Sequence, residues 1–243
     1  MSRKPNRKFH VLIPVLAILV IAILVVSAIM AKIVFWDFLF QIVLTVTSVV
    51  LALWYADLGK PRLKLEILDP QKVYIGNIEN TEFLKLSVLN QPLKNIPFIS
   101  RSTAFSCHGS ISFLDLNMKL IFEMPIRWSN NPQPIRPDVD QGKIVTLIDQ
   151  SLIRASRYID ISADEKEELD ICYRDPKEKV AIGWNSDSYL IPGGRFPDRI
   201  LPLGDYIVRV TVKHNDGSVQ YDLLLHNPEN IDHYKLDSYA DQR

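Results

Sequence analysis

The sequence predicts two N-terminal transmembrane α-helices, a helical hairpin, followed by an all-β sandwich, on three observations. Residues 11–31 and 38–56 are two long apolar runs without a charged side chain. From residue 61 onward, apolar residues recur at every second position. Turn formers punctuate those alternating runs, and few stretches have helical spacing.

The first run, VLIPVLAILVIAILVVSAIMA, has 21 residues. At 1.5 Å per residue it matches the roughly 30 Å of a hydrocarbon core. The second run, FLFQIVLTVTSVVLALWYA, is of similar length. Lys32 and Asp37 lie between them and would sit in mid-membrane if the two runs formed one segment, so a tight turn is expected there. Pro14 falls in the first helical turn, where its missing N–H costs nothing. Phe35, Trp36, Trp54 and Tyr55 stand where aromatic belts are expected. A cleaved signal peptide fits less well, because its apolar core is about 7–15 residues long and ends at small residues. Here bulky Ile33, Val34, Phe35 and Trp36 follow the run.

Charge sets the expected sidedness. Residues 1–56 hold five basic groups and one acid, residues 57–243 hold 23 and 27, and the 28 of each sign cancel overall. Arg3, Lys4, Arg7 and Lys8 precede the first run, and Lys60, Arg62 and Lys64 follow the second. The positive-inside bias places both termini in the cytoplasm of a multi-pass cell-membrane protein. Cys107 and Cys172 would then be reduced. Gln41, Thr45, Thr47 and Ser48 are the polar residues of the second run. Their expected role is helix packing within the hairpin or in a homo-oligomer, ahead of lining a pore.

The expected division is a basic tail over 1–10, the hairpin over 11–56, the β domain over 61–230 and a C-terminal tail over 231–243. About 180 residues suffice for one such domain. Leu63, Leu65 and Ile67 alternate with Arg62, Lys64 and Glu66; further runs fall on 84–89, 107–114 and 120–126. Residues 206–212 and 219–225 flank Asn215-Asp216-Gly217, which reads as a hairpin turn. Ser162 and Glu165 have capping-box spacing and predict one helical turn before a strand. The stretch 128–137 carries Pro132, Pro134 and Pro137 and is expected to be a loop, since proline donates nothing to a ladder. Trp128 would either anchor that loop or offer a stacking surface.

Catalytic chemistry finds no purchase in the motifs. Histidines 10, 108, 214, 226 and 233 lack metal-ligand spacing, and Cys107 and His108, adjacent on a strand, point to opposite faces. P-loop, dinucleotide and nucleophile-elbow motifs are absent. A domain without net positive charge argues against duplex nucleic acid as a partner. No cofactor, metal or enzymatic role is expected. The candidate ligand or partner surface is residues 183–189, Gly-Trp-Asn-Ser-Asp-Ser-Tyr, with Trp184, Asn185, Asp187 and Tyr189, together with Trp128. The plainer alternative is a loop pinned by two buried aromatics.

Two resemblances bear on the fold. Pro202-Leu203-Gly204-Asp205-Tyr206 leading into an alternating strand resembles the penultimate strand of immunoglobulin-like sandwiches. It implies that Tyr206 bonds nearby backbone through its hydroxyl. Arg127-Trp128 followed by Pro132-Gln133-Pro134, the motif 183–189 and the strand from Gly204 together resemble a family of uncharacterised prokaryotic, membrane-anchored β-rich proteins over residues 85–230. That resemblance implies a fold and a bacterial or archaeal source, and carries no activity. The sequence thus points to a membrane-tethered, non-enzymatic binding or scaffold protein with an immunoglobulin-like domain facing a protein or small-molecule partner. The alternative is a two-helix membrane effector with a β-rich nucleotide sensor, which resembles anti-phage effectors in architecture.

Overall fold

The structure, a computed structural model, describes residues 7–30, 34–75, 78–93, 100–140, 143–155, 157–191 and 194–239. The expected tail residues Arg3 and Lys4, Lys32 between the apolar runs, and residues 240–243 lie outside that set. The chain divides into two compact units, Met1–Lys60 and Pro61–Arg243.

The first unit contains helices α1 (Arg7–Met30) and α2 (Val34–Gly59). Within α2, the 23 residues Asp37–Gly59 are long and apolar enough to cross a membrane, about 34 Å at the helical rise. The apolar part of α1 with described side chains, Leu16–Ser27, is shorter than a span. One helix therefore meets the length requirement among the described residues, where two were expected. Ala17, Val20, Leu24 and Ser27 of α1 and Phe40, Val43, Thr47 and Trp54 of α2 are half-buried, at the three-or-four spacing of one helix face.

The second unit is a sandwich of two sheets. One sheet runs β1 (Leu63–Ile67), β3 (Ile78–Asn90), β10 (Lys166–Arg174), β11 (Ala181–Gly183), β12 (Ile200–Leu201). Strand β2 (Gln71–Ile75) also pairs β3, and β6 (Arg127–Trp128) pairs β10. The other sheet runs β15 (Lys235–Ser238), β14 (Gly217–Asn227), β13 (Gly204–His214), β4 (Ala104–Leu114), β5 (Leu120–Pro125), with β9 (Ile159–Ile161) beside β4. The alternation read from sequence places the inner faces. Leu84, Leu86, Val88, Leu169 and Ile171 from the first sheet meet Ile111, Phe113, Met124, Val208, Val210 and Val212 from the second in one buried core. Phe113 and Phe122 stack across β4 and β5 with centroids 4.5 Å apart.

Gly109 on β4 lets the β13 backbone approach. A Cβ there would overlap the Thr211 carbonyl. Gly109→Ala is expected to cost about 1–3 kcal/mol, read as a lower unfolding midpoint in urea. Tyr206 donates its hydroxyl to the Pro202 carbonyl at 3.0 Å, the backbone bond expected of it.

Three local expectations are corrected. Residues of the proline-rich stretch enter a separate two-stranded ladder of β7 (Ile135–Asp140) and β8 (Lys143–Ile148), with Pro137 opposite Thr146. A two-stranded ribbon has a free edge on each strand, so a missing N–H is tolerated there. Ser162 and Glu165 do bond reciprocally: the Ser162 N–H donates to the Glu165 carboxylate at 3.0 Å and the Glu165 N–H to the Ser162 carbonyl at 3.2 Å. The left-handed Asp164, φ 67°, turns the chain directly into β10 instead of a helix. The domain also runs past residue 230, because β15 pairs β14. His226 fastens that edge: its ring nitrogens lie 2.9 Å from Asp205 and 3.3 Å from Asp237, on the two flanking strands.

Candidate functional site

The motif 183–189 begins at the end of β11 and continues into a 3-10 turn, Ser186–Leu190. Each residue in it has a local cause. Gly183 faces the core, where a Cβ would come within 2.9 Å of the Phe122 ring. Trp184, one residue on, lies on the outer face of the first sheet in a second apolar cluster with Phe83, Tyr173 and Ile182. Its ring meets Phe83, Tyr173 and Tyr189 edge to face, at centroid distances of 5.6, 5.3 and 5.2 Å. Gly194, at φ 69°, lies against the indole so closely that a Cβ would overlap it.

Asn185 caps the turn. Its side-chain oxygen accepts from the Asp187 N–H at 3.0 Å, and Ser188 Oγ accepts from the Asn185 N–H at 3.1 Å. The same Asn185 oxygen accepts from Arg199 at 2.7 Å. Asp187 lies 3.1 Å from Arg157 and 3.7 Å from Arg199. Two guanidiniums thus surround one carboxylate, and Arg157 is the more exposed of the pair.

Beneath Tyr189 lies a buried ion pair that the sequence did not reveal. Arg127 donates to Asp170 at 2.8 Å, and Ser129 donates to the other carboxylate oxygen at 2.7 Å. The guanidinium lies 5.5 Å from the centre of the Tyr189 ring. Burial raises the Tyr189 hydroxyl above the usual phenol range, and the Arg127 charge opposes that shift. Arg127 adjoins Trp128 in the sequence, but its partner is 43 residues away and paired only through the β6–β10 register.

Trp128 is removed from the candidate surface. It is fully buried between the sheets, and its Nε1–H donates to the Cys107 carbonyl at 3.2 Å. Trp184 and Asn185 are buried as well. They form the pinned loop that was the plainer expectation. What the loop presents outward is the half-exposed Asp187 and Tyr189, and Leu190 at 45% exposure. The sequence grouped Trp184, Asn185, Asp187 and Tyr189 correctly in space, and missed Arg127, Asp170, Arg157 and Arg199, which converge on them from other segments.

The thiols have no activated form here. Cys107 and Cys172 are both buried and free, and burial pushes each up to about 12. Neither is expected to react with iodoacetamide near pH 8 while the chain is folded, and both should react once guanidinium chloride unfolds it; mass spectrometry of the adducts reads this directly. Among the described residues, no three His, Cys, Asp or Glu side chains are placed to hold a metal ion.

No family model, curated protein or solved structure matches this chain.

Proposed function

We propose that this chain is a membrane-tethered, non-enzymatic binding or scaffold protein whose immunoglobulin-like domain works on the cytoplasmic side. The observation that carries the reading is α2, a helix of spanning length with most of its apolar surface uncovered, in the same chain as a β sandwich. The strand order supports the immunoglobulin-like part. We read β1, β3 and β10 as counterparts of A, B and E, and β14, β13, β4 and β5 as counterparts of G, F, C and C′, while β11, beside β10 where D would lie, follows it in the chain instead of preceding it. The Tyr206–Pro202 bond supports it further. The basic groups flanking the apolar runs support the sidedness, and the resemblance to membrane-anchored prokaryotic β-rich proteins is part of the same reading.

The partner surface we assign is the outer face at Asp187, Tyr189 and Leu190, rimmed by Arg157. An exposed leucine on the same turn as Asp187, whose partner Arg157 is itself solvent-facing, suits a protein partner with an apolar anchor and a nearby carboxylate. The test is photo-crosslinking in intact cells from an unnatural aromatic residue at Leu190, with Leu120 on β5 as the control exposed site. A discrete adduct from position 190 and none from 120 is expected. No adduct, or the same pattern from both, would defeat the assignment. A maleimide-labelled Ser218→Cys variant, in the β13–β14 hairpin, tests the side: labelling only after lysis is expected.

A further inference from the structure

We propose that α2 pairs in parallel with the α2 of a second copy of this chain, along the face carrying Phe38, Gln41, Thr45, Ser48, Ala52 and Tyr55. The inference rests on the reading that α2 spans a bilayer.

Helix α2 has two seams. Phe40, Val43, Thr47 and Trp54 form the one that is half-buried within the first unit. The other runs 38, 41, 45, 48, 52, 55, alternating steps of three and four over more than two heptads, and every residue on it is exposed. Phe38 is 59% and Tyr55 55% exposed. Of the four polar residues in the apolar run, three lie on this free seam.

Their hydrogen bonding separates them. The Thr45 and Ser48 hydroxyls donate to their own helix, at 2.8 Å to the Gln41 carbonyl and 2.7 Å to the Leu44 carbonyl. The Gln41 carboxamide makes no hydrogen bond among the described residues. Lipid tails offer it neither donor nor acceptor. A second α2 offers both, because a carboxamide is self-complementary across a two-fold axis. Two copies inserted with the same topology bring their α2 helices together in parallel, with Gln41 at the same depth in each.

Shape agrees with this occupant. Ser48 and Ala52 are small enough for close backbone approach. Beside Gln41 lies a hollow of about 290 Å³ lined by Phe38, Gln41, Ile42, Thr45 and Val46, room for a knob from a facing helix. Helix α1 does not compete, since Ser27, its polar side chain among those described, is half-buried and bonds the Ile23 carbonyl at 2.9 Å.

The test uses the full chain in native membranes, with Cys107 and Cys172 replaced by serine and one new cysteine at a time. After mild oxidation, Thr45→Cys, Ser48→Cys and Ala52→Cys are expected to form disulfide-linked dimers. Val50→Cys and Leu53→Cys, exposed at 37% and 67% on other faces, are expected to form few. Adding Gln41→Leu to Ser48→Cys should cut the cross-linked fraction about fivefold, and Gln41→Asn should restore most of it. Cross-linking that is uniform around the helix, strongest at 50 and 53, or indifferent to Gln41→Leu would overturn the seam. Alkaline carbonate extraction of the same membranes separates the two levels. A chain that is stripped off defeats the spanning reading and the seam with it. A retained chain without seam-specific cross-links defeats the seam alone.

Discussion

Replacing Trp128 by alanine is expected to destabilise the sandwich by about 3–5 kcal/mol, the range for emptying a buried large aromatic site. The indole is wholly inside the core, and its Nε1–H bonds the Cys107 carbonyl in the opposite sheet. The substitution therefore opens a void and leaves a buried carbonyl without its donor. Trp128→Phe keeps most of the ring and loses the donor, so it should cost less than alanine but more than a neutral change. Urea unfolding of the detergent-solubilised full chain, followed by near-ultraviolet circular dichroism, measures both. A Trp128→Ala midpoint equal to that of the unsubstituted chain would contradict the burial argument. Against a total stability of about 5–15 kcal/mol, the expected loss is enough to lower the yield of folded protein.

Asp170→Ala is expected to cost a similar amount, about 3–5 kcal/mol, for an electrostatic reason. The Arg127 and Asp170 side chains are 4% and 5% exposed and 2.8 Å apart. Removing the carboxylate strands a guanidinium under Tyr189 and takes away the acceptor of Ser129. Replacing both members together, as Arg127→Met with Asp170→Leu, should recover most of the loss, because the cost lies in the unpaired charge. A double-mutant cycle on the same unfolding transition checks this. If the double variant is as unstable as the sum of the single ones, the pair is not coupled and the reading of this face is wrong. The Leu190 cross-linking pattern should be lost in Asp170→Ala and return in the double variant, since the ion pair underlies Tyr189 and the turn ending at Leu190.

These two expectations differ in how they could be reached. That Trp128 belonged to the fold was one of two readings of an aromatic beside prolines; its burial decided between them. The Arg127–Asp170 pair could not be read at all. The two residues meet because β6 registers against β10, with Asp170 opposite Arg127. Register across a separation of 43 positions is set by the whole hydrophobic pattern. The motif 183–189 was legible as a unit because its Asn185 cap and its Trp184–Tyr189 contact join residues a few positions apart, whereas Gly183 answers to the distant Phe122. The arginines that complete it come from Arg157 and Arg199, outside any local pattern.

The Tyr206 backbone bond was implied by the resemblance to immunoglobulin-like strands; by itself, the sequence determined the sandwich strands with strong period-two alternation, the hairpin at Asn215–Gly217 and the apolar character of the N-terminal region. Those features arise from local periodicity and turn chemistry, which a chain carries in the order of its residues. Tertiary structure alone decided that Pro137 enters a ribbon and that residues 235–238 complete a sheet. It also decided that Trp184 faces outward into its own cluster, and that the polar seam of α2 lies away from its half-buried face. Each of these depends on what lies opposite in space, and burial and pairing between distant segments are set only when the chain has folded.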